Sequence, residues 1–123
     1  MTDHPSFPVL RLRVVFPGGG MVGPGKADLL DHIRETGSIS AAGRRMAMSY
    51  KRAWMLVETM NATFADPLVE STRGGPKGGG ARLTEAGTAV LAHYRRLERR
   101  AAEAGQGDIA ALSAMTRDIP GEK

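Results

Sequence analysis

The segment from Thr36 to Trp54 constrains this chain more than any other. It reads Thr36-Gly37-Ser38-Ile39-Ser40-Ala41-Ala42-Gly43-Arg44-Arg45-Met46-Ala47-Met48-Ser49-Tyr50-Lys51-Arg52-Ala53-Trp54. Gly37 suits the left-handed position that ends a helix, because no Cβ opposes a positive φ there. Ser38 or Ser40 then offers a hydroxyl to cap a second helix. On that helix Ile39, Ala42 and Met46 form a short inward stripe, and the small Ala42 and Gly43 let neighbouring helices approach closely. A third helix starts at Met48 or Ser49, and its first turn is polar and basic. Two short helices joined by a tight turn, the second opening on a surface-seeking cationic face, form the pattern by which a helix-turn-helix presents a recognition helix to the DNA major groove.

The flanking sequence extends this pattern. Residues 1–8 read as a loose leader. Val9 to Phe16 reads as a strand, with Arg11 and Arg13 two apart on one face. Pro17 to Gly25, with five glycines and two prolines, reads as loop. Lys26 to Thr36 is a first helix: Leu29, Leu30 and Ile33 fall at helical spacing, and Asp28, Asp31, Arg34 and Glu35 take the wet side. In the third helix Ala53, Trp54, Val57 and Met60 recur at three- and four-residue steps and are expected in the core. Ser49, Lys51, Arg52 and Met55 occupy another face. The helix ends near Phe64, and Asp66-Pro67 breaks the pattern. Leu68 to Thr72 and Ala81 to Leu83 read as strands around a turn, Gly74 to Gly80, that holds five glycines in seven residues. Thr84 caps a fourth helix, with Glu85 placed well against its dipole. Ala86, Ala89, Val90, Leu91, Tyr94 and Leu97 give that helix a broad apolar face as far as about Ala104, where Gly105 and Gly107 end it. Residues 108–123 form a marginal helix or a mobile tail. The expected fold is mainly α (α+β): a winged helix-turn-helix with an N-terminal strand, a β-hairpin wing and a long C-terminal helix. It occupies residues 1–104, followed by a tail over 105–123.

Charge supports a polyanionic partner. The net charge is +4, which alone says little, but its distribution is uneven. Residues 44–100 hold eleven Lys/Arg against five Asp/Glu, whereas residues 1–43 hold four of each. The excess lies where phosphate contacts would be needed. Arg52 has the chemistry to bind guanine through O6 and N7, a contact that contributes roughly 1–3 kcal/mol of discrimination. Lys51 can reach a base or a phosphate, and Ser49 and Tyr50 can donate hydroxyls to phosphate. Arg73, Lys77 and Arg82 flank or sit within the glycine-rich turn, where cations meet phosphates or enter the minor groove. Arg44 and Arg45 are placed to clamp the backbone beside the groove. Arg95, Arg96, Arg99 and Arg100 read as the charged outer face of a packed helix.

Other functions find little support. The chain has no cysteine, hence no disulfide or thiolate metal site. No apolar stretch approaches the roughly 18 residues of a membrane span, and the N-terminus lacks a secretory layout, so the expected compartment is the cytoplasm. His4, His32 and His93 are scattered and make no metal cluster. No nucleophile motif stands out, so neither an enzyme nor a cofactor is expected. Gly20 to Lys26 fits G-x4-G-K between a strand and a helix, but Ala27 replaces the hydroxyl residue that would hold Mg²⁺, so this loop is expected only to link the two. A protein-interaction module on the same fold is the alternative to a DNA-binding one.

Thr36-Gly37-Ser38-Ile39-Ser40-Ala41-Ala42, Ser49-Tyr50-Lys51-Arg52-Ala53-Trp54, Met60-Asn61, Leu68-Val69-Glu70, the glycines at 74, 75 and 78–80, and Leu83-Thr84 with Gly87 together resemble the N-terminal DNA-binding domain of ModE-type molybdate-responsive regulators. The resemblance spans roughly Val9 to Ala104. It implies a LysR-like winged helix, a homodimer on a palindromic operator, and DNA readers at Ser49, Tyr50, Lys51 and Arg52, with Arg73 and Lys77 in the wing. Recognition helices would then enter successive major grooves about 34 Å apart. Family members carry a C-terminal oxyanion-binding region of small β-barrels. About twenty residues follow the fourth helix here, so no molybdate site is expected within this sequence, and the effector is unknown.

Overall fold

In the computed structural model, which describes residues 6–72 and 80–117, the first element is a short antiparallel pair, β1 (Val14–Val15) and β2 (Met21–Val22). Three helices follow, α1 (Pro24–Thr36), α2 (Ile39–Arg45) and α3 (Tyr50–Thr63). A second antiparallel pair, β3 (Val69–Thr72) and β4 (Gly80–Leu83), leads into α4 (Glu85–Ala104) and α5 (Gln106–Ala114).

The N-terminal strand is much shorter than the apolar run from Val9 suggests. Only Val14 and Val15 find a partner, and it comes from within the segment read as loop, pairing Val14 with Val22 and Val15 with Met21. The Phe16 N–H donates to the Gly20 carbonyl and the Gly19 N–H to the Phe16 carbonyl, closing the turn between them. The first helix also starts two residues before Lys26, with Pro24 at its opening position, where a missing N–H costs nothing.

Short-range chemistry sets the helix ends. Gly37 stops α1 at φ +70°, and its N–H donates to the Ile33 carbonyl. Ser38, not Ser40, caps α2, its hydroxyl accepting the Ala41 N–H at 3.0 Å. Ser49 caps α3 by accepting the Arg52 N–H at 3.1 Å, and Thr84 caps α4 by accepting the Gly87 N–H at 3.0 Å. Each such cap contributes about 1 kcal/mol. The turn between α2 and α3 holds one unfavourable residue, Ala47 at φ +56°, a left-handed conformation that costs a residue with a Cβ roughly 1–2 kcal/mol.

The core draws on every layer. Leu29, Leu30 and Ile33 come from α1, Ile39 and Ala42 from α2, Ala53, Val57 and Met60 from α3, and Leu91 and Tyr94 from α4. Leu68, Val69 and Ala81 seal it from the hairpin side. The apolar face of α4 is narrower than its sequence suggests, since Ala89 and Leu97 are exposed. Gly105 ends α4 as expected, but the chain resumes at once as α5, in which no residue is buried. Among the described residues, no helix is long and apolar enough to cross a membrane.

Long-range polar contacts lock these parts together. The Asn61 carbonyl oxygen accepts the N–H groups of Leu68 and Val69, and its amide donates to the Val69 carbonyl, so α3 grips the root of β3. The Ala81 N–H donates to the Gly37 carbonyl at 2.9 Å, tying β4 to the turn after α1. Gly87 lies against the Leu68 carbonyl so closely that a Cβ there would stand 2.1 Å from the oxygen. Tyr94 Oη donates to the Leu12 carbonyl at 2.6 Å and pins the N-terminal segment to α4. Burial and the nearby Glu98 carboxylate raise the pKa of this phenol above its ordinary 10.0.

Arg95 corrects the reading of the α4 arginines as an outer charged face. Its guanidinium reaches Asp28 at 2.8 Å and Asp31 at 2.6 Å, both on α1, and Glu98 at 3.0 Å on its own helix. Burial disfavours its charge, but the hydrogen bonds to Asp28, Asp31 and Glu98 outweigh this and hold its pKa above the usual guanidinium range.

Candidate nucleic-acid interface

The first turn of α3 is fixed from behind. Ala53, Val57 and Met60 anchor the helix in the core. Gly43 of α2 lies so close to it that a Cβ at Gly43 would stand 3.0 Å from the Ala53 Cβ. With one side of α3 buried, the helical period turns Lys51 and Met55 outward, flanked by Tyr50 and Trp54 on one side and Arg52 on the other. All five are exposed. Lys51 and Arg52 have no carboxylate partner among the described residues. The helix therefore opens on two free cations at its positive dipole end, an arrangement suited to anionic ligands.

Trp54 departs from the expectation that its spacing with Val57 and Met60 makes it core. It is 36% exposed and stacks on Tyr50, with ring centroids 6.4 Å apart and planes 15° apart. The reason is angular: Trp54 stands on the edge of the buried arc that Ala53 and Val57 fill, and the indole leans back along the helix onto the residue four before it.

Concave surfaces border α3 on both sides. One, of about 320 Å³, is lined by Ser38, Ser40, Tyr50, Trp54, Ser71 and Gly80, and so lies between α3, the start of α2 and the root of the hairpin. The other, of about 330 Å³, includes Arg13, Gly25, Met48, Arg52 and Leu56, and lies between α3, the start of α1 and the N-terminal segment. In the sequence Arg13 reads as part of a strand face, with no link to this surface. It lines the same surface as Arg52, 39 residues further along the chain, a meeting that no local pattern encodes.

The remaining sequence candidates are not equally placed. Ser49 spends one lone pair on its cap, leaving its O–H free to donate. Arg44 donates to the Ser40 hydroxyl at 2.8 Å and so stands beside the groove that Ser40 lines. Arg45 instead points to the end of α1, pairing with Glu35 at 2.6 Å next to His32. Arg82 faces Glu70 directly across the β3–β4 register, at 2.7 Å, which offsets its charge. Arg73 and Lys77 lie outside the described residues. Lys26 of the G-x4-G-K segment is only 8% exposed, and its ammonium donates to the Met21 carbonyl rather than opening into a phosphate cradle.

A helix pair crossing at a tight turn, an exposed and cationic second helix, and an antiparallel hairpin packed beside it define a winged helix-turn-helix domain. The chain belongs to the LysR family of bacterial regulatory helix-turn-helix proteins, whose family model matches residues 26–88. Among characterised proteins it is similar to the molybdenum-pterin-binding protein MopA of Rhodobacter capsulatus, at 42% identity over 98 residues that cover 80% of this chain and 36% of that protein. It is also similar to the DNA-binding transcriptional dual regulator ModE of Escherichia coli K12, at 41% identity over 71 residues that cover 58% of this chain and 27% of that protein. The chain thus spans about a third of the length of these relatives. Among solved structures it resembles the CbnR DBD–DNA complex, with a TM-score of 0.56, 26% identity, and coverage of 72% of this chain and 95% of that one.

Proposed function

We propose that this domain binds double-stranded DNA sequence-specifically and serves a transcription regulator in the cytoplasm. The observation that carries this reading is the first turn of α3, where Lys51 and Arg52 are exposed, with no acidic partner among the described residues, on a helix whose opposite face is locked into the core. Such a helix fits the B-DNA major groove, with its N-terminal side chains at the base edges. Arg52 is the base reader and Lys51 reads a base or phosphate. The hydroxyls of Ser49 and Tyr50 bind phosphate, Arg44 supplies backbone charge, Arg45 and Arg82 supply less because Glu35 and Glu70 offset them, and Arg73 and Lys77 extend the contact into the wing. Two copies act as a homodimer on a palindromic operator. The name of the MopA relative, which refers to molybdenum-pterin binding, supports genes of molybdenum handling as targets.

The test is duplex binding measured across salt concentrations. Log affinity should fall linearly with log salt, with a slope set by the number of phosphates neutralised. Arg52→Ala should weaken specific binding by roughly 1–3 kcal/mol and relax the preference at one base pair. Lys77→Ala should weaken all sequences about equally and reduce the slope by about one. Salt-independent binding, or an Arg52→Ala protein with unchanged affinity and preference, would reject this reading.

A further inference from the structure

The exposed face of α3 carries more apolar surface than phosphate binding requires. Tyr50 is 57% exposed and Met55 54%, and both adjoin the half-open Trp54. All three lie within the first six residues of the helix, about 8 Å of its axis, the part that a recognition helix inserts deepest. Lys51 and Arg52 share this surface, so whatever covers it presents negative charge together with an apolar group. In the major groove the base edges supply one such group, the C5-methyl of thymine; the other features they present there are hydrogen-bond donors and acceptors.

Resting on the DNA-binding reading above, we propose that Trp54 and Met55 recognise thymine through its C5-methyl group and so act as specificity-determining residues beside Arg52. The Tyr50–Trp54 stack holds the indole in one orientation before binding, so less side-chain freedom is lost on contact. Met55 supplies an adaptable apolar surface on the outward line of the helix. This division of labour gives the helix two chemically distinct readings: a guanidinium for the acceptors of guanine and an apolar pair for the methyl of thymine.

The experiment replaces individual thymines by deoxyuridine in a duplex that the protein selects, which deletes only the methyl group. Wild-type affinity should fall about three- to fourfold for each contacted methyl. Met55→Ala and Trp54→Ala proteins, checked for unchanged helix content, should bind the thymine duplex more weakly and lose sensitivity to the uracil exchange at their own positions. Equal wild-type affinity for thymine and uracil duplexes, or sensitivity that persists in both variants, would overturn the proposal while leaving DNA binding intact. A wild-type protein that binds no unmodified duplex would overturn the DNA-binding reading and this one with it. The uracil exchange leaves the protein untouched, so the test stands even where Trp54→Ala loosens the fold.

Discussion

Replacing Gly87 by alanine sets helix propensity against packing. Gly87 sits in the first turn of α4, where alanine is intrinsically better by about 1 kcal/mol. Its added Cβ, however, would stand 2.1 Å from the Leu68 carbonyl oxygen and 3.0 Å from the carbonyl carbon. The atoms in the way are backbone, and Leu68 is fully buried, so no side-chain rotation relieves the clash. Either α4 or the root of β3 must move by about 1 Å to restore an ordinary contact, at a cost of roughly 1–3 kcal/mol. That movement also strains the hydrogen bond from the Thr84 N–H to the same carbonyl, 2.9 Å long and worth about 1 kcal/mol. The net loss is therefore roughly 1–3 kcal/mol, or about 4 °C in Tm per kcal/mol for a domain of this size. Gly25→Ala provides the control, because Gly25 is also in the first turn of a helix but its Cβ would meet nothing within 4 Å. Urea unfolding of the two variants should move the midpoint in opposite directions, down for Gly87→Ala and up by at most about 1 kcal/mol for Gly25→Ala. A Gly87→Ala protein as stable as the parent would refute the claim that α4 and the hairpin root are packed backbone to backbone.

Three further substitutions probe other polar contacts and the helix-turn-helix corner. Asn61→Ala strips partners from the N–H groups of Leu68 and Val69, both in buried residues, and should cost about 2–4 kcal/mol in chemical denaturation. Tyr94→Phe removes the hydrogen bond to Leu12 and should cost about 1 kcal/mol near neutral pH. Because the folded pKa of this phenol is raised, its contribution is complete below pH 10 and is lost as pH rises through the folded value, so the gap between parent and variant should close in strongly alkaline buffer. Ala47→Gly relieves the positive φ at the helix-turn-helix corner but adds freedom to the unfolded chain, giving a net gain of about 0–1 kcal/mol; thermal denaturation that shows clear destabilisation would contradict the strain argument.

What was legible in the sequence was largely local. Gly37, Ser38, Ser49 and Thr84 mark their helix ends because a cap is satisfied within three or four residues. The stripes of α1 and α3 follow from helical period, as does the outward face of Ser49, Lys51, Arg52 and Met55. Spacing alone puts Trp54 in the core, because it does not say where the buried arc of a helix ends. The run from Val9 reads longer than the strand it forms, because an apolar run records propensity, whereas a strand needs a partner, and Met21–Val22 offers two residues. The Arg95 cluster joins positions 64 and 67 apart, and the Tyr94–Leu12 bond positions 82 apart. Such pairings arise only when helices pack. Asn61 did carry a signal, a hydrogen-bonding side chain in the last turn of a helix just before a break, of the kind that satisfies neighbouring backbone.

Sequence-specific DNA binding is best tested by selecting bound sequences from a random duplex pool at about 150 mM salt, where non-specific binding is weak. A homodimer that reads DNA through α3 should enrich a palindrome with half-sites about one helical turn apart, and Arg52→Ala should lose the preference at one base pair per half-site. A pool that emerges without enrichment, bound weakly and without regard to sequence, would contradict sequence-specific binding.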